Sequence, residues 1–355
     1  MGVVLLKEAV LYKKIEDKTV MCTACARRCI LKEGQIGFCG VRKNIDGKLY
    51  LLVYGKAYAV HVDPIEKKPL YHFYPGSSVL SIGTTGCNWA CAYCCNYHMS
   101  QRRRVEGYDI SPEEMIRIAL EYGVEGLSYT YNEPTIFTEY AHDIGVLARR
   151  EGLFNTYVTN GFMTEETVEL LSEFLDAATV DIKGNAEPKF LRKFAQVPSP
   201  EPIFETLLRL RDKKIFIEIT NLIVPEIGAD LDYARKLIKW IHDNLGPETP
   251  IHYLRFYPSY RLSHLRPTPI KLLEKHYDLA KEIGMKYVYL GNVPGHDTEN
   301  TYCPECGKLL IRRFGFSISE WNLREGKCKY CGAKINIRYK DDNAWKKARS
   351  FVFFY

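Results

Sequence analysis

Twelve cysteines in a chain of 355 residues constrain its folding more than any other feature, because they fall into three tight groups. The first is Cys22, Cys25, Cys29 and Cys39, spaced C-x2-C-x3-C-x9-C. The second is Cys87, Cys91 and Cys94, spaced C-x3-C-x2-C, with Cys95 directly after. The third is Cys303, Cys306, Cys328 and Cys331, two C-x2-C pairs separated by 21 residues. Residues 1–14 carry Lys7 and Glu8 within their apolar run, and no later stretch approaches about 18 apolar residues, so neither a secretory leader nor a spanning helix is expected. A cytoplasmic location follows, where thiols stay reduced and short cysteine spacings argue for metal ligation. The net charge of +6, from 49 Lys+Arg against 43 Asp+Glu, is mild and diffuse. It suits acidic small molecules or a protein partner; neither nucleic acid nor membrane is an expected partner.

Between the second and third groups the sequence alternates strand-like and helix-like segments. Short runs rich in Val, Ile, Tyr, Phe and Thr, bounded by turn residues, predict strands at 79–83, 126–131, 155–159, 178–182, 215–223, 251–256 and 286–291. Ser111-Pro112-Glu113-Glu114 reads as an N-cap, a proline at the first helical position and a capping-box glutamate, with Gly123 closing that helix. Ala234, Leu237, Ile238, Ile241 and Leu245 form one apolar stripe on a second helix. Such alternation specifies an α/β fold with a parallel sheet and helical crossovers, whose chemistry sits at the C-terminal ends of the strands. The second cysteine group follows the strand at 79–83. Three thiolates on one loop can hold a compact cluster with one coordination position open, whereas a tetrahedral zinc knuckle would need a fourth ligand. Cys95 reads better as a buried free thiol than as that ligand.

Cys87-x3-Cys91-Ala92-Tyr93-Cys94, with an aromatic before the third cysteine, resembles the signature of the radical S-adenosylmethionine (SAM) superfamily. Further stretches, Pro64-Ile65-Glu66-Lys67-Lys68-Pro69-Leu70, Tyr131-Asn132-Glu133-Pro134, Val158-Thr159-Asn160-Gly161, Asp181-Ile182-Lys183 and Thr301-Tyr302-Cys303-Pro304, resemble the AmmeMemoRadiSam-system radical enzyme. That group is related to the activating enzymes of pyruvate formate-lyase. The resemblance implies a partial (β/α)6 TIM-type barrel over 78–293, between a four-cysteine module at 1–77 and another at 294–355. It implies a [4Fe–4S] cluster on Cys87, Cys91 and Cys94, whose open iron chelates S-adenosylmethionine. One electron from that cluster cleaves the sulfonium, giving a 5′-deoxyadenosyl radical that abstracts hydrogen from a substrate, here expected to be a protein or peptide. An external ferredoxin-like or flavodoxin-like donor and Memo-like and AMMECR-like companions are further implied partners.

By the same resemblance Tyr93, Tyr131, Asn132, Glu133, Pro134, Thr159, Asn160, Asp181 and Lys183 are candidate cofactor-binding residues. Tyr131 and Asn132 stand where the superfamily often has two glycines, and Lys183 is expected to meet the methionyl carboxylate. Tyr257 occupies a region where the activases place a histidine. A plain Asp181–Lys183 ion pair is the alternative. The N-terminal quartet fits either zinc in a stapled subdomain with little core or a second, electron-relaying [4Fe–4S] cluster. The C-terminal quartet reads as a zinc ribbon, with rubredoxin-like iron as its rival. The run Arg102-Arg103-Arg104, and likewise Lys67 and Lys68, are either solvated surface or a recruiting patch for an acidic partner. His72, His98, His252 and His296 read as ordinary structural histidines. Radical modification of RNA and a non-catalytic metal-binding scaffold are the two rival functions.

Overall fold

The computed structural model describes residues 6–101, 104–343 and 345. Its centre is an eight-stranded sheet: β1 (Ala59–Pro64), β2 (Ser78–Gly83), β3 (Gly126–Tyr129), β4 (Phe154–Thr159), β5 (Ala177–Lys183), β6 (Phe216–Ile223), β7 (Ile251–Arg255) and β8 (Val288–Gly291). The strands lie side by side in chain order. β2 to β8 run parallel, and β1 pairs antiparallel with β2. All seven expected strands are present, with ends shifted by one or two residues. The sheet has seven parallel strands where six barrel units were expected, and it gains β1, which the sequence reading did not single out. The barrel is open, with β1 and β8 as its edges.

The crossovers carry α1 (Pro112–Glu121), α2 (Thr138–Arg150), α3 (Glu165–Ser172), α4 (Pro188–Ala195), α5 (Glu201–Asp212), α6 (Leu231–Leu245) and α7 (Ile270–Ile283). Local chemistry sets their ends. Ser111 accepts the Glu114 amide at 3.2 Å ahead of α1, and Asp230 accepts those of Asp232 and Tyr233 ahead of α6. The apolar stripe of α6 is buried at Ala234, Leu237, Ile238 and Ile241. No helix among the described residues is long and apolar enough to cross a membrane.

Two side-chain sets alternate along each strand. Leu80, Ile82, Leu127, Tyr129, Tyr157, Ala178, Val180, Ile182, Ile219, Ile251 and Tyr253 belong to the large apolar core shared with the helices. The opposite face lines the barrel interior in layers. At the bottom, Val79, Ala177 and Phe216 pack with Ile65, Leu70 and Phe73 from the segment after β1. Above them lies a polar layer that includes Ser81, Ser128, Thr156, Thr179, Glu218 and His252, all buried. The segment below is bonded to this layer: Thr179 donates to the Lys68 carbonyl at 2.6 Å, and the His72 amide donates to Glu218 at 2.7 Å. Residues 65–73 thus close the N-terminal end of the open barrel.

The two cysteine modules flank this body. The N-terminal one has small sheets and, contrary to expectation, a core of its own in Ala9, Leu11, Val20, Ala24, Leu31 and Leu49. Buried Arg42 ties it to α2 through both carboxylate oxygens of Glu139, and donates to the Ile136 carbonyl at 3.0 Å. The C-terminal one is a three-stranded antiparallel sheet (Thr301–Tyr302, Leu309–Phe314, Ser317–Trp321). Its buried Arg313 donates to the Tyr71 carbonyl at 2.9 Å, beneath the barrel.

Candidate active site

β2 delivers the chain into Thr84, Thr85 and Gly86, all buried, and then into the loop of Cys87, Cys91 and Cys94. Gly86 has φ +89°, and a β-carbon there would collide with the Cys39 carbonyl oxygen and Val41. Only glycine fits without displacing backbone. The sulfurs have local partners: the Trp89 amide donates to Cys87 at 3.4 Å, and the Cys94 sulfur lies 3.1 Å from the Ser100 hydroxyl. Burial pushes the Cys91 thiol up to about 12, with Cys94 adding to it, and holds Cys87 well above the usual thiol range. Thiols this reluctant to ionise alone suit a cationic metal centre, which supplies the charge that stabilises thiolate. Tyr93 is buried and stacks on Phe190 with centroids 5.4 Å apart. Cys95 is exposed, which corrects the expectation of a buried thiol; the side chain after Cys94 turns outward.

The strand ends brace this loop. Asn132 donates to the Thr84 hydroxyl at 3.1 Å and to the Gly86 carbonyl at 2.9 Å, while Asn96 donates to the Tyr131 carbonyl at 2.9 Å. Tyr131, at φ +71°, extends its hydroxyl 2.6 Å to Asp63 on β1. Lys67 and Lys68 also donate to Asp63, each at 2.7 Å. Burial opposes the Asp63 charge, but Lys68, Lys67 and Tyr131 outweigh it and keep the carboxyl well below its usual range. The Lys67–Lys68 pair is therefore built into the barrel edge through Asp63.

Glu133 lies fully inside. One carboxylate oxygen accepts from the Thr135 amide and hydroxyl at 3.1 and 2.5 Å and from the Thr159 hydroxyl at 2.7 Å. The other accepts from the Asn160 amide at 2.7 Å. Burial raises its pKa despite these donors. Glu133 thus fastens the ends of β3 and β4 together, and Pro134 opens a short 3-10 turn beyond it. Asn160 in turn donates to Asn88 at 2.8 Å, inside the cysteine loop.

At the end of β5, Lys183 donates to Asp181 at 2.5 Å, and Asp181 accepts from Thr220 at 2.7 Å. Both residues are largely buried. Burial opposes the Lys183 charge, but Asp181 outweighs it and raises the pKa. The lysine also lies near enough to Cys91 to favour its thiolate. The ion pair and a place beside the cluster loop therefore coexist.

Sequence reading missed the loop after β7, which covers the cysteine loop from the far side. Ser259 donates to the Cys94 carbonyl at 3.1 Å, the Arg261 amide to the Ala92 carbonyl at 3.0 Å, and Tyr260 stacks on Tyr97 at 4.7 Å. A serine hydroxyl, a backbone amide and a ring stack far along the chain from the cysteines form no spacing that a sequence displays. Tyr257 is half exposed and donates to the Asn292 carbonyl at 3.3 Å. His72 and His252 are buried in hydrogen bonds to Tyr289 and Glu218, His296 bonds Thr298, and His98 is exposed beside Tyr97. Arg102 and Arg103 lie outside the described residues.

The C-terminal cysteines form a site of a different size. Their sulfurs all lie within 4.8 Å of one another, the one such gathering of metal-binding atoms among the described residues. The Cys303–Cys331 and Cys306–Cys328 sulfurs are 3.6 and 3.7 Å apart. Each half repeats one turn: Gly307 and Gly332 donate to the carbonyls of Cys303 and Cys328, and those cysteines donate to Lys308 and Ala333. A tetrahedral ion with bonds of about 2.3 Å spaces its sulfurs about 3.8 Å apart, so the quartet fits a single ion.

A parallel sheet with a three-cysteine loop at the C-terminal end of its first parallel strand defines the class of protein. The family model of the radical SAM superfamily matches residues 81–241, so the chain carries a domain of that superfamily. It is 45% identical over 336 residues to the uncharacterized protein MJ0808 of Methanocaldococcus jannaschii, covering 94% of this chain and 99% of that relative. A second protein of that organism, MJ1632, is provisionally named a glycyl-radical enzyme activating enzyme. It is 24% identical over 220 residues, 60% of this chain and 79% of its own length. Among solved structures, a radical SAM methyltransferase from Sphaerobacter thermophilus aligns with TM-score 0.47 and 14% identity, over 67% of this chain and 71% of its own. A domain of pyruvate-formate lyase-activating enzyme from Bacteroides vulgatus gives 0.41 and 16%, over 47% and 99%.

Proposed function

We propose that this protein cleaves S-adenosylmethionine reductively and abstracts hydrogen from a protein or peptide, in the manner of a glycyl-radical activase. The observation that carries the reading is three partly buried thiols on one braced loop at the barrel mouth, with Lys183 near enough to Cys91 to favour its thiolate. Cys87, Cys91 and Cys94 fit a [4Fe–4S] cluster, having sulfur-directed donors and a glycine where any side chain would displace the loop. A bound cluster and S-adenosylmethionine would supply one-electron reduction of a sulfonium and a carbon radical. Lys183, kept charged by Asp181, is the proposed partner of the methionyl carboxylate, and Glu133 fixes the strand ends from which Asn160 reaches the loop. Residues 65–73 close the lower end of the barrel against water.

The kinship with MJ1632 supports the activase-like branch of this reading. A low-potential flavodoxin-like or ferredoxin-like protein is the proposed electron source, and Memo-like or AMMECR-like companions are proposed partners. The test is anaerobic reconstitution followed by reduction with S-adenosylmethionine present. The protein should form 5′-deoxyadenosine, and Cys91→Ala should abolish this while keeping its far-UV circular dichroism. An intact cluster that yields no 5′-deoxyadenosine with a competent reductant overturns the proposal.

A further inference from the structure

The N-terminal quartet differs from the C-terminal one in a measurable way. Cys22, Cys25, Cys29 and Cys39 do not draw together within 4.8 Å, but line one enclosed space with Ala24, Arg27, Gly37, Arg42, Asn88 and Ile136. Three of the four cysteines are buried, and the space admits the centre of a water-sized sphere over about 10 Å³. Sulfurs around such a void stand farther from its middle than a Zn–S bond of about 2.3 Å allows. A four-iron cluster binds each thiolate through a different iron, so its ligands ring a larger body.

Position supplies the second argument. Cys39 offers its carbonyl to the place where Gly86 lacks a β-carbon, so the quartet's last ligand abuts the residue before Cys87. Arg27, two residues beyond Cys25, donates to the Asn88 carbonyl, one residue beyond Cys87. Asn88 also receives Asn160 and lines the quartet's space, making it a common wall of both cysteine sites. No solvent layer separates the two.

We propose that the N-terminal quartet holds a second [4Fe–4S] cluster that passes electrons to the cluster of Cys87, Cys91 and Cys94. In the transfer one electron leaves the reduced N-terminal cluster, taking it from the 1+ to the 2+ state, and reduces the barrel cluster from 2+ to 1+. A reduced flavodoxin-class or ferredoxin-class protein restores the first. This role rests on the proposed barrel cluster, whereas the iron held by the quartet itself does not.

The test measures iron, labile sulfide and zinc in the anaerobically reconstituted full-length chain and assigns cluster type by Mössbauer spectroscopy. Wild type should hold about eight irons and one zinc, and a Cys87→Ala/Cys91→Ala/Cys94→Ala variant should keep about four irons as one [4Fe–4S] cluster. A Cys25→Ala/Cys39→Ala variant should keep the other four, and reduced flavodoxin should reduce them at least tenfold more slowly than in wild type. If that variant does not fold, the triple variant carries the test alone. An iron-free triple variant, or about two zincs per wild-type chain, overturns the second cluster; unchanged reduction by flavodoxin overturns the relay. Failure of the barrel site instead leaves wild type and triple variant with equal iron.

Discussion

Single residues set tolerances that the surrounding fold then exploits. Gly86 is one such residue, since its positive φ and the Cys39 carbonyl both exclude a side chain. Gly86→Ala should cost about 1–3 kcal/mol of stability and lower the iron bound per chain, read by thermal melting and metal analysis. Glu66 offers a titration. It is buried, one oxygen accepts the Gly76 amide at 2.7 Å and the other has no partner, and burial, only partly offset by Arg313, raises its pKa to about 7. The folded state therefore holds its proton more tightly than the unfolded one. Its contribution is full below about pH 4.5 and is lost as pH rises through about 7, by up to about 1.4 kcal/mol per pH unit. Glu66→Gln should flatten the fall in urea midpoint between pH 5 and pH 8; an unchanged slope would assign that fall elsewhere. At this scale the C-terminal quartet was legible as a cluster because paired C-x2-C turns bring four sulfurs together. The inward anchoring of Glu133 was not, since Glu-Pro after a strand reads the same whether its carboxylate faces a ligand or Thr135, Thr159 and Asn160.

Elements join these residues across long sequence separations. The end of β5 presents Asp181 and Lys183 on one face because strand side chains alternate, and Thr220 of β6 meets Asp181 in register. Lys183→Met should leave iron content unchanged and raise the KM for S-adenosylmethionine about tenfold or more, as expected for loss of a charge-assisted hydrogen bond. An unchanged KM would reduce the pair to a structural one. The Arg42–Glu139 bond between the N-terminal module and α2 should behave differently, because both groups are buried. Arg42→Met leaves Glu139 uncompensated and should cost about 3–5 kcal/mol, measured by denaturant unfolding. Every central parallel strand was visible as an apolar run between turns. β1 was not, because Ala-Val-His-Val-Asp-Pro at 59–64 carries charge and ends in proline, and only its pairing with β2 makes it a strand.

For the whole molecule, the first and third cysteine groups lie on small sheets that pack against the barrel. The C-terminal quartet holds its own small sheet while Arg313 reaches under the barrel to Tyr71. Chelation should release about one zinc per chain and lower the melting temperature, with barrel iron retained, as metal analysis before and after treatment would show. The three cysteine groups themselves were legible from their spacing. Their mutual contacts were not, because Gly86 against Cys39 and Arg27 against Asn88 join residues far apart in the sequence.

The stopper of Ile65, Leu70 and Phe73 under the strands shuts the lower end of the barrel. Under the proposed chemistry, spent nucleoside and incoming reactant would share the passages that this plug leaves, the upper mouth and the gap between the edge strands β1 and β8.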